Sequence, residues 1–308
     1  AFDSGLFRHL GNMIIDGKEY FHGTVLDIGC DCGLVSCFIA QQYPECKVVG
    51  VDKNEAAVNN AKELAERLGL ANAEFVTADI YDFNLDEKAE VATSFRGLLD
   101  IAQRQTSGVS VIGERSAREG AYQQAFLPLA TAIGNNLKDG GTVISVERYT
   151  AMYGWLGWMQ ALAENGICPI VEQCARMVAQ DISSAKDYSV TFAQKNCNAS
   201  PIEAYNYVME KNFKSGAGVT GADAEFALYF DSDEIEFTDV YKGEKLLHQF
   251  AKAVSKGGKY MFYEADLDYR KLKYCNEKKK IKADEDFDRK LALYNKNEFE
   301  IKIYSVKS

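Results

Sequence analysis

The feature that most constrains this chain is an alternation: short apolar runs of β-forming residues take turns with stretches of helical periodicity through its first half. The runs that read as strands are TVLDIG (24–29), KVVGVD (47–52), AEFVTA (73–78), EVATSF (90–95) and GTVISVE (141–147). Helical stretches lie between them at Gly33–Gln42, Asn54–Leu68 and Ala121–Leu137. In NEAAVNNAKELAERLGL the apolar positions Ala57, Val58, Ala61, Leu64, Ala65 and Leu68 recur at helical spacing, and Gly69 supplies the stop. Strands alternating with such helices imply parallel βαβ units. Right-handed crossovers then build an open, doubly wound sheet.

Beyond these units a helical YGWLGWMQALAENG precedes two more strand-like runs, PIVEQCARMVAQ and DYSVTFAQKN, with DISSAK between them as a hairpin turn. The expected fold is therefore α/β: a doubly wound, seven-stranded, mostly parallel sheet with an antiparallel last strand. After Lys195 the pattern changes. A helix (SPIEAYNYVMEKNF) and a flexible KSGAGVTGAD lead into EFALYF, EIEFTDVY, KYMFYEADL and EFEIKIYSV, which alternate as half-buried antiparallel strands do, around a helix in GEKLLHQFAKAVSK. We expect residues 1–195 to form one domain, with 1–23 as its helical lead-in, and 196–308 a smaller C-terminal α+β domain.

Composition narrows the function classes. No apolar run approaches the roughly 18 residues needed to span a bilayer, so no membrane partner is expected. The 8 cysteines are scattered, and several fall in apolar runs, as reduced and buried thiols do. That favours a cytoplasmic location. No charged-then-apolar leader is evident, and the chain opens on Ala1 and not Met, so its natural start is expected to lie elsewhere. The net charge of −10 argues against a nucleic-acid surface. The local exception is YRKLKYCNEKKKIK (269–282), basic with interleaved Tyr, a composition also expected of a solvated face.

The stretch VLDIGCDCGLVSCFIA carries Cys30, Cys32 and Cys37, followed by Cys46. Structural zinc needs converging ligands, commonly as C-x2-C pairs, and this spacing does not offer them. No metal is expected. A dinucleotide loop needs G-x-G-x-x-G, but Asp31 and Leu34 stand in its second and third glycine positions. A carboxylate at 31 would also oppose a pyrophosphate. What remains is Asp27, Gly29 and Gly33 closing the first strand.

This arrangement resembles the first motif of the class I S-adenosylmethionine-dependent methyltransferases, an acidic residue followed by G-x-G-x-G, with Asp31 in place of the middle glycine. The resemblance continues over residues 23–195. Asp52 ends the second strand where that family places an acid on the cofactor ribose, and Asp79 ends the third where it commonly meets the adenine amino group. The resemblance implies S-adenosyl-L-methionine as cofactor, held by Asp27, Gly29, Cys30, Gly33, Asp52, Lys53, Asp79, Ile80 and Ser94. S-adenosylmethionine carries a sulfonium and an ammonium but no phosphate, so an acidic crescent of Asp27, Asp31, Asp52 and Asp79 suits it. Strand-end Asp residues also cap helices, and that reading stays open for Asp31.

Methyl transfer from a sulfonium is an in-line displacement that gains from alignment and desolvation, and a base is needed only where the acceptor must lose a proton. The catalytic residue is unassigned. Glu147, Arg96 and Tyr149 are weak candidates from the ends of the fourth and fifth strands, and ordinary ion pairing of strand-end polar residues explains them better than catalysis does. Residues 104–124, with Arg115 and Arg118, could form a lid over the cleft or a solvated helix start. His9, His22 and His248 lack metal-ligand spacing with one another. The expected acceptor is a small molecule, with the C-terminal domain shaping the pocket or supporting a homodimer. Two alternatives stay open: an RNA or protein methyltransferase that uses the C-terminal domain for recognition, and a non-catalytic protein that keeps the fold.

Overall fold

The computed structural model describes residues 4–110, 112–113, 115–149, 152–180, 185–214, 224–267, 269–297 and 299–308. Most of the expected turn at 181–186 and of the expected flexible segment at 214–223 lies outside these residues. By contact the chain divides into two units. The first comprises residues 1–108, 121–149 and 154–211; the second comprises 109–120, 150–153 and 212–308.

The first unit opens with α1 (Ser4–Asp16) and continues as β1 (Thr24–Ile28), α2 (Leu34–Gln42), β2 (Lys47–Asp52), α3 (Glu55–Leu68), β3 (Ala73–Thr77) and β4 (Ala89–Phe95). Two short helices follow, α4 (Leu98–Ile101) and α5 (Gln103–Thr106). Then come α6 (Arg115–Asn136), β5 (Leu137–Glu147), α7 (Met152–Ala163), β6 (Ile167–Pro169), β7 (Ala175–Gln180), β8 (Ala185–Lys195) and α8 (Pro201–Lys214), of which 115–120, 152–153 and 212–214 count with the second unit. The sheet order is β3-β2-β1-β4-β5-β8-β6, with β7 also paired to β8. β1 to β5 run parallel, and β8 is antiparallel to β5, as expected from the sequence.

One lane differs from expectation. Of the run at 169–180, Pro169 ends β6 and 175–180 forms β7: the two pair with successive stretches of β8, separated by a single 3-10 turn at Val171–Gln173. Pro169 supplies no N–H, which an edge position tolerates.

Helix α3 sits where its sequence signals put it. Asn54 caps α3 by accepting from the N–H groups of Ala56 and Ala57, and Gly69 ends it in a left-handed conformation. The buried face of α3, Val58, Ala61 and Ala65, packs on Cys30, Cys37 and Phe75. A larger core joins Leu6, Leu10 and Ile14 of α1 to Val25, Val48, Val91, Ile144 and Val190 of the sheet. Burial of that apolar face, at about 25 cal/mol per Å², holds α1 on the sheet.

In the second unit the structure corrects two expectations. EFALYF is a helix, α9 (Ala224–Phe230), and 243–256 holds a strand, β10 (Lys245–Ser255), paired on both sides: with β9 (Ser232–Lys242) and with β11 (Tyr260–Asp266). After β12 (Arg270–Cys275) comes α10 (Glu277–Lys296), and β13 (Glu300–Lys307) returns to pair with β9. The sheet order is β12-β11-β10-β9-β13. Its apolar core includes Leu228, Phe237, Ala251 and Tyr263 in one cluster and Phe250, Phe262 and Phe287 in another.

Candidate active site

The carboxyl ends of β1, β2 and β4, together with the segment after β3, border a cavity of about 790 Å³ within the first unit. Its floor is the loop that leaves β1. Gly29 and Cys30 both donate N–H groups to the Val51 carbonyl, at 2.9 and 3.2 Å, which stitches the loop to β2. Gly29, Asp31 and Gly33 all have positive φ, at 72°, 48° and 74°. Every second residue is thus left-handed, which is the conformational demand behind a G-x-G-x-G spacing. Asp meets it at the middle position because its short side chain is among the few that tolerate this region.

Gly33 is required for a second reason. A Cβ there would lie 2.6 Å from Ala61 Cβ and 2.9 Å from the Phe75 ring, so only a glycine lets the loop close on α3.

Asp27 is buried between two hydroxyls: Ser36 donates to it at 2.5 Å and Thr93 at 2.9 Å. Burial raises its pKa, against the lowering effect of those hydroxyls. Asp52 is half-buried and accepts from the N–H of Asp31 at 3.1 Å and of Asn54 at 2.9 Å, so it orders both the loop and the start of α3. Asp79 is exposed and accepts from the Tyr81 N–H at 3.1 Å.

Of the residues expected at a cofactor, Asp27, Gly29, Cys30, Asp52, Lys53, Asp79 and Ile80 line the cavity. Gly33 and Ser94 do not. Ser94 is buried and donates to the Ile28 carbonyl at 2.9 Å, tying β4 to the end of β1 beneath the cleft. The three catalytic candidates separate in the same way. Arg96 is exposed and lines the cavity, with a positive φ of 66°. Glu147 is 3% exposed, does not line the cavity, and accepts from the N–H groups of Leu99 and Arg148 at 3.2 and 2.7 Å. Burial raises its pKa against those bonds and the nearby Arg96. Tyr149 is buried against Phe126, off the cavity, and burial pushes its hydroxyl pKa well up.

Several lining residues were not singled out from the sequence. Leu6, Phe7 and Leu10 of α1 form an apolar wall, joined by Leu34, Val35 and Phe95. Tyr81, Asp100, Ile101 and Gln103 complete the rim. A helical lead-in at 1–23 does not say which face of the sheet it covers, so the contribution of α1 had no signal of its own. His9 and His22 do not line the cavity. The lid reading of Arg118 is corrected: it belongs to the second unit, where it is buried and doubly hydrogen-bonded to Glu225, both contacts at 2.7 Å. The Arg115 side chain lies outside the described residues.

Among the described lining residues the balance is acidic: Asp27, Asp31, Asp52, Asp79 and Asp100 against Lys53 and Arg96. Such a site favours a cationic guest over a polyanionic one.

Residues 22–212 match the family model described as a methyltransferase domain. The chain belongs to this methyltransferase family. The resemblance to class I S-adenosylmethionine-dependent methyltransferases drawn from the loop and strand-end acids therefore holds. A probable (S)-tetrahydroprotoberberine N-methyltransferase 2 of Papaver bracteatum is 32% identical over 93 residues, covering 26% of this methyltransferase and 26% of that protein. A ribosomal RNA small subunit methyltransferase G of Thermotoga sp. (strain RQ2) is 30% identical over 88 residues, covering 29% of this chain and 39% of that one. The chain thus spans well under half the length of these curated relatives. Among solved structures, the N-methyltransferase NodS from Bradyrhizobium japonicum WM9 is 15% identical with a TM-score of 0.43, covering 63% of this chain and 98% of that one.

Proposed function

We propose that the cleft binds S-adenosylmethionine and that the enzyme transfers its methyl group to a small-molecule acceptor. The observation that carries this reading is the pairing of an acidic floor with an apolar wall in one compact cavity. The donor set fits the cofactor: carboxylates complement a sulfonium and an ammonium, and the left-handed loop lets backbone approach closely where a side chain at Gly29 would meet Ile101 and Gly97. Asp52 would hold the ribose hydroxyls, Asp79 and Ile80 the adenine, and Asp27, Gly29 and Cys30 the methionine end, with Lys53 beside the ribose.

When bound, S-adenosylmethionine supplies an electrophilic methyl group on a cationic sulfur. The chain's own work is then alignment and exclusion of water. Leu6, Phe7 and Leu10 would desolvate the acceptor, and Arg96 would orient it from the β4 end. Glu147 and Tyr149, both buried away from the cavity, are assigned positions under the site and no direct role in proton transfer.

A compact acceptor is favoured over RNA because the basic run at 269–282 is divided between β12 and α10 and is no continuous stripe, and two of its six lysines lie over rings, Lys273 over Phe262 and Lys280 over Tyr260. A stripe that tracks a phosphate backbone would keep its cations on one element. Eight free cysteines support a cytoplasmic setting.

The test is transfer of labelled methyl from S-adenosylmethionine into fractionated cell extract. Label in the small-molecule fraction, lost in Asp27→Ala, is the expected result. Label confined to RNA or protein overturns the acceptor class while keeping the methyltransferase, and no transfer to any fraction overturns the activity.

A further inference from the structure

Away from the cleft, two cysteines meet at the other end of the sheet. Cys168 lies in β6 and is 8% exposed; Cys197 follows β8 and is partly exposed. The β6–β8 register places Ile167 opposite Lys195, and the Asn196 N–H donates to the Gly166 carbonyl at 2.7 Å. Asn196 then adopts a φ of 66°, a left-handed bend that carries Cys197 back onto Cys168. The contact is reciprocal: Cys168 Sγ lies 3.0 Å from the Cys197 carbonyl, and Cys197 Sγ lies 3.3 Å from the Cys168 carbonyl. Each thiol therefore rests on the other residue's backbone, which brings the two side chains together as disulfide formation needs.

We infer that Cys168 and Cys197 are a disulfide-forming site that reacts with a low-molecular-weight disulfide such as glutathione disulfide. Cys197, the more accessible thiol, loses its proton and attacks one sulfur of glutathione disulfide. A mixed disulfide forms and one glutathione thiolate leaves. The Cys168 sulfur then attacks Cys197 Sγ, forms the Cys168–Cys197 bond and expels the second glutathione. The two thiol protons pass to the two departing thiolates. The protein is oxidised by two electrons, and glutathione disulfide is reduced to two glutathiones.

Burial holds the Cys168 pKa up at about 11, so the second step is the slow one. The other buried thiols meet different groups: Cys30 Sγ lies on the Asp31 carbonyl, Cys174 Sγ on the Phe192 carbonyl and Cys275 Sγ on the Lys273 carbonyl, while burial shields Cys37 and Cys46.

The bond would clamp β6 to the segment that leads into α8. β8 runs antiparallel to β5, with Gln194 opposite Thr142 and Ser189 opposite Glu147. Cys197 is therefore at the end of the sheet remote from the strand ends that border the cleft, and cofactor affinity is expected to stay unchanged. That separates failure of this inference from failure of the proposed activity.

The experiment is to incubate the whole chain with excess glutathione disulfide, quench in acid, alkylate under denaturing conditions, and read intact mass and peptide map. The expected product has lost two hydrogens, carries two fewer alkylated thiols than the 8 cysteines of the sequence, and yields a 168–197 cross-linked peptide. Its thermal midpoint should rise by roughly 5 °C or more, reversibly with dithiothreitol. Cys168→Ser should stop at a glutathione adduct on Cys197, and Cys197→Ser should form neither product at this site. Full alkylation of the treated wild type, or a bond joining any other pair, overturns the inference.

Discussion

At the scale of single residues, the loop after β1 explains how an aspartate occupies a glycine position. Its φ of 48° is within reach of Asp, and its N–H bond to Asp52 fixes the bend. Gly33 has no such latitude, because both its φ and its 2.6 Å approach to Ala61 exclude a side chain. Gly33→Ala is expected to destabilise the first unit by ~1–3 kcal/mol, measured by urea unfolding. A second prediction concerns Glu264 in the second unit. Burial alone would raise its pKa, but His248, Lys290 and Tyr269 beside it take it down from the ordinary 4.5 to about 2. A depressed carboxyl stabilises the fold fully above its unfolded value and loses that contribution as pH falls through the folded one. The wild type should therefore shed stability relative to Glu264→Gln between about pH 4.5 and 2, read from paired melts; parallel curves would refute the assignment. The strand-end acids Asp52 and Asp79 were legible because strand ends in an open α/β sheet border the cleft. Glu147, Tyr149 and Ser94 were not, since sequence position at a strand end does not say whether a side chain points into the cleft or beneath it.

At the scale of elements, caps and periodicity were reliable where one face is buried. Asn54 caps α3 as its sequence indicates, and Asn54→Ala should cost about 1 kcal/mol in thermal unfolding while Asn54→Asp is nearly neutral. The misreadings fall where burial is two-sided. β10 carries Phe250 into one apolar cluster and Ala251 and Ala253 into the other, so its apolar residues crowd together and mimic a helical stripe. Period-2 alternation is a signal of a half-buried strand, and a strand covered on both faces loses it. EFALYF erred the other way: Ala227 and Leu228 are both fully buried in α9, a helix too short for its period to be told from a strand. The split of the sixth lane into β6 and β7 turns on a 3-10 turn at Val171–Gln173, three residues without a distinctive signal.

At the scale of the whole molecule, the α/β order of the first unit was legible because each βαβ step repeats the same local grammar, and topology rules then leave few arrangements. The unit assignment of 109–120 and 150–153 was not, since it depends on contacts remote in sequence, above all Arg118 with Glu225. That buried pair has a guanidinium whose pKa Glu225 raises, and a carboxyl that Arg118 and Arg270 lower against its burial. Removing one partner leaves an uncompensated charge, so Glu225→Gln is expected to destabilise the second unit by ~3–5 kcal/mol in denaturant melts. Among the described residues no helix is long and apolar enough to cross a membrane. The central claim is that the acidic cleft holds S-adenosylmethionine through Asp52. Calorimetric titration of S-adenosylmethionine and its demethylated product into wild type and Asp52→Ala tests it most directly. Loss of charge-assisted hydrogen bonds worth ~1.5–3 kcal/mol each predicts saturable wild-type binding that weakens at least about tenfold in the variant. Absence of binding to the wild type, or equal affinity in both proteins, would contradict the account.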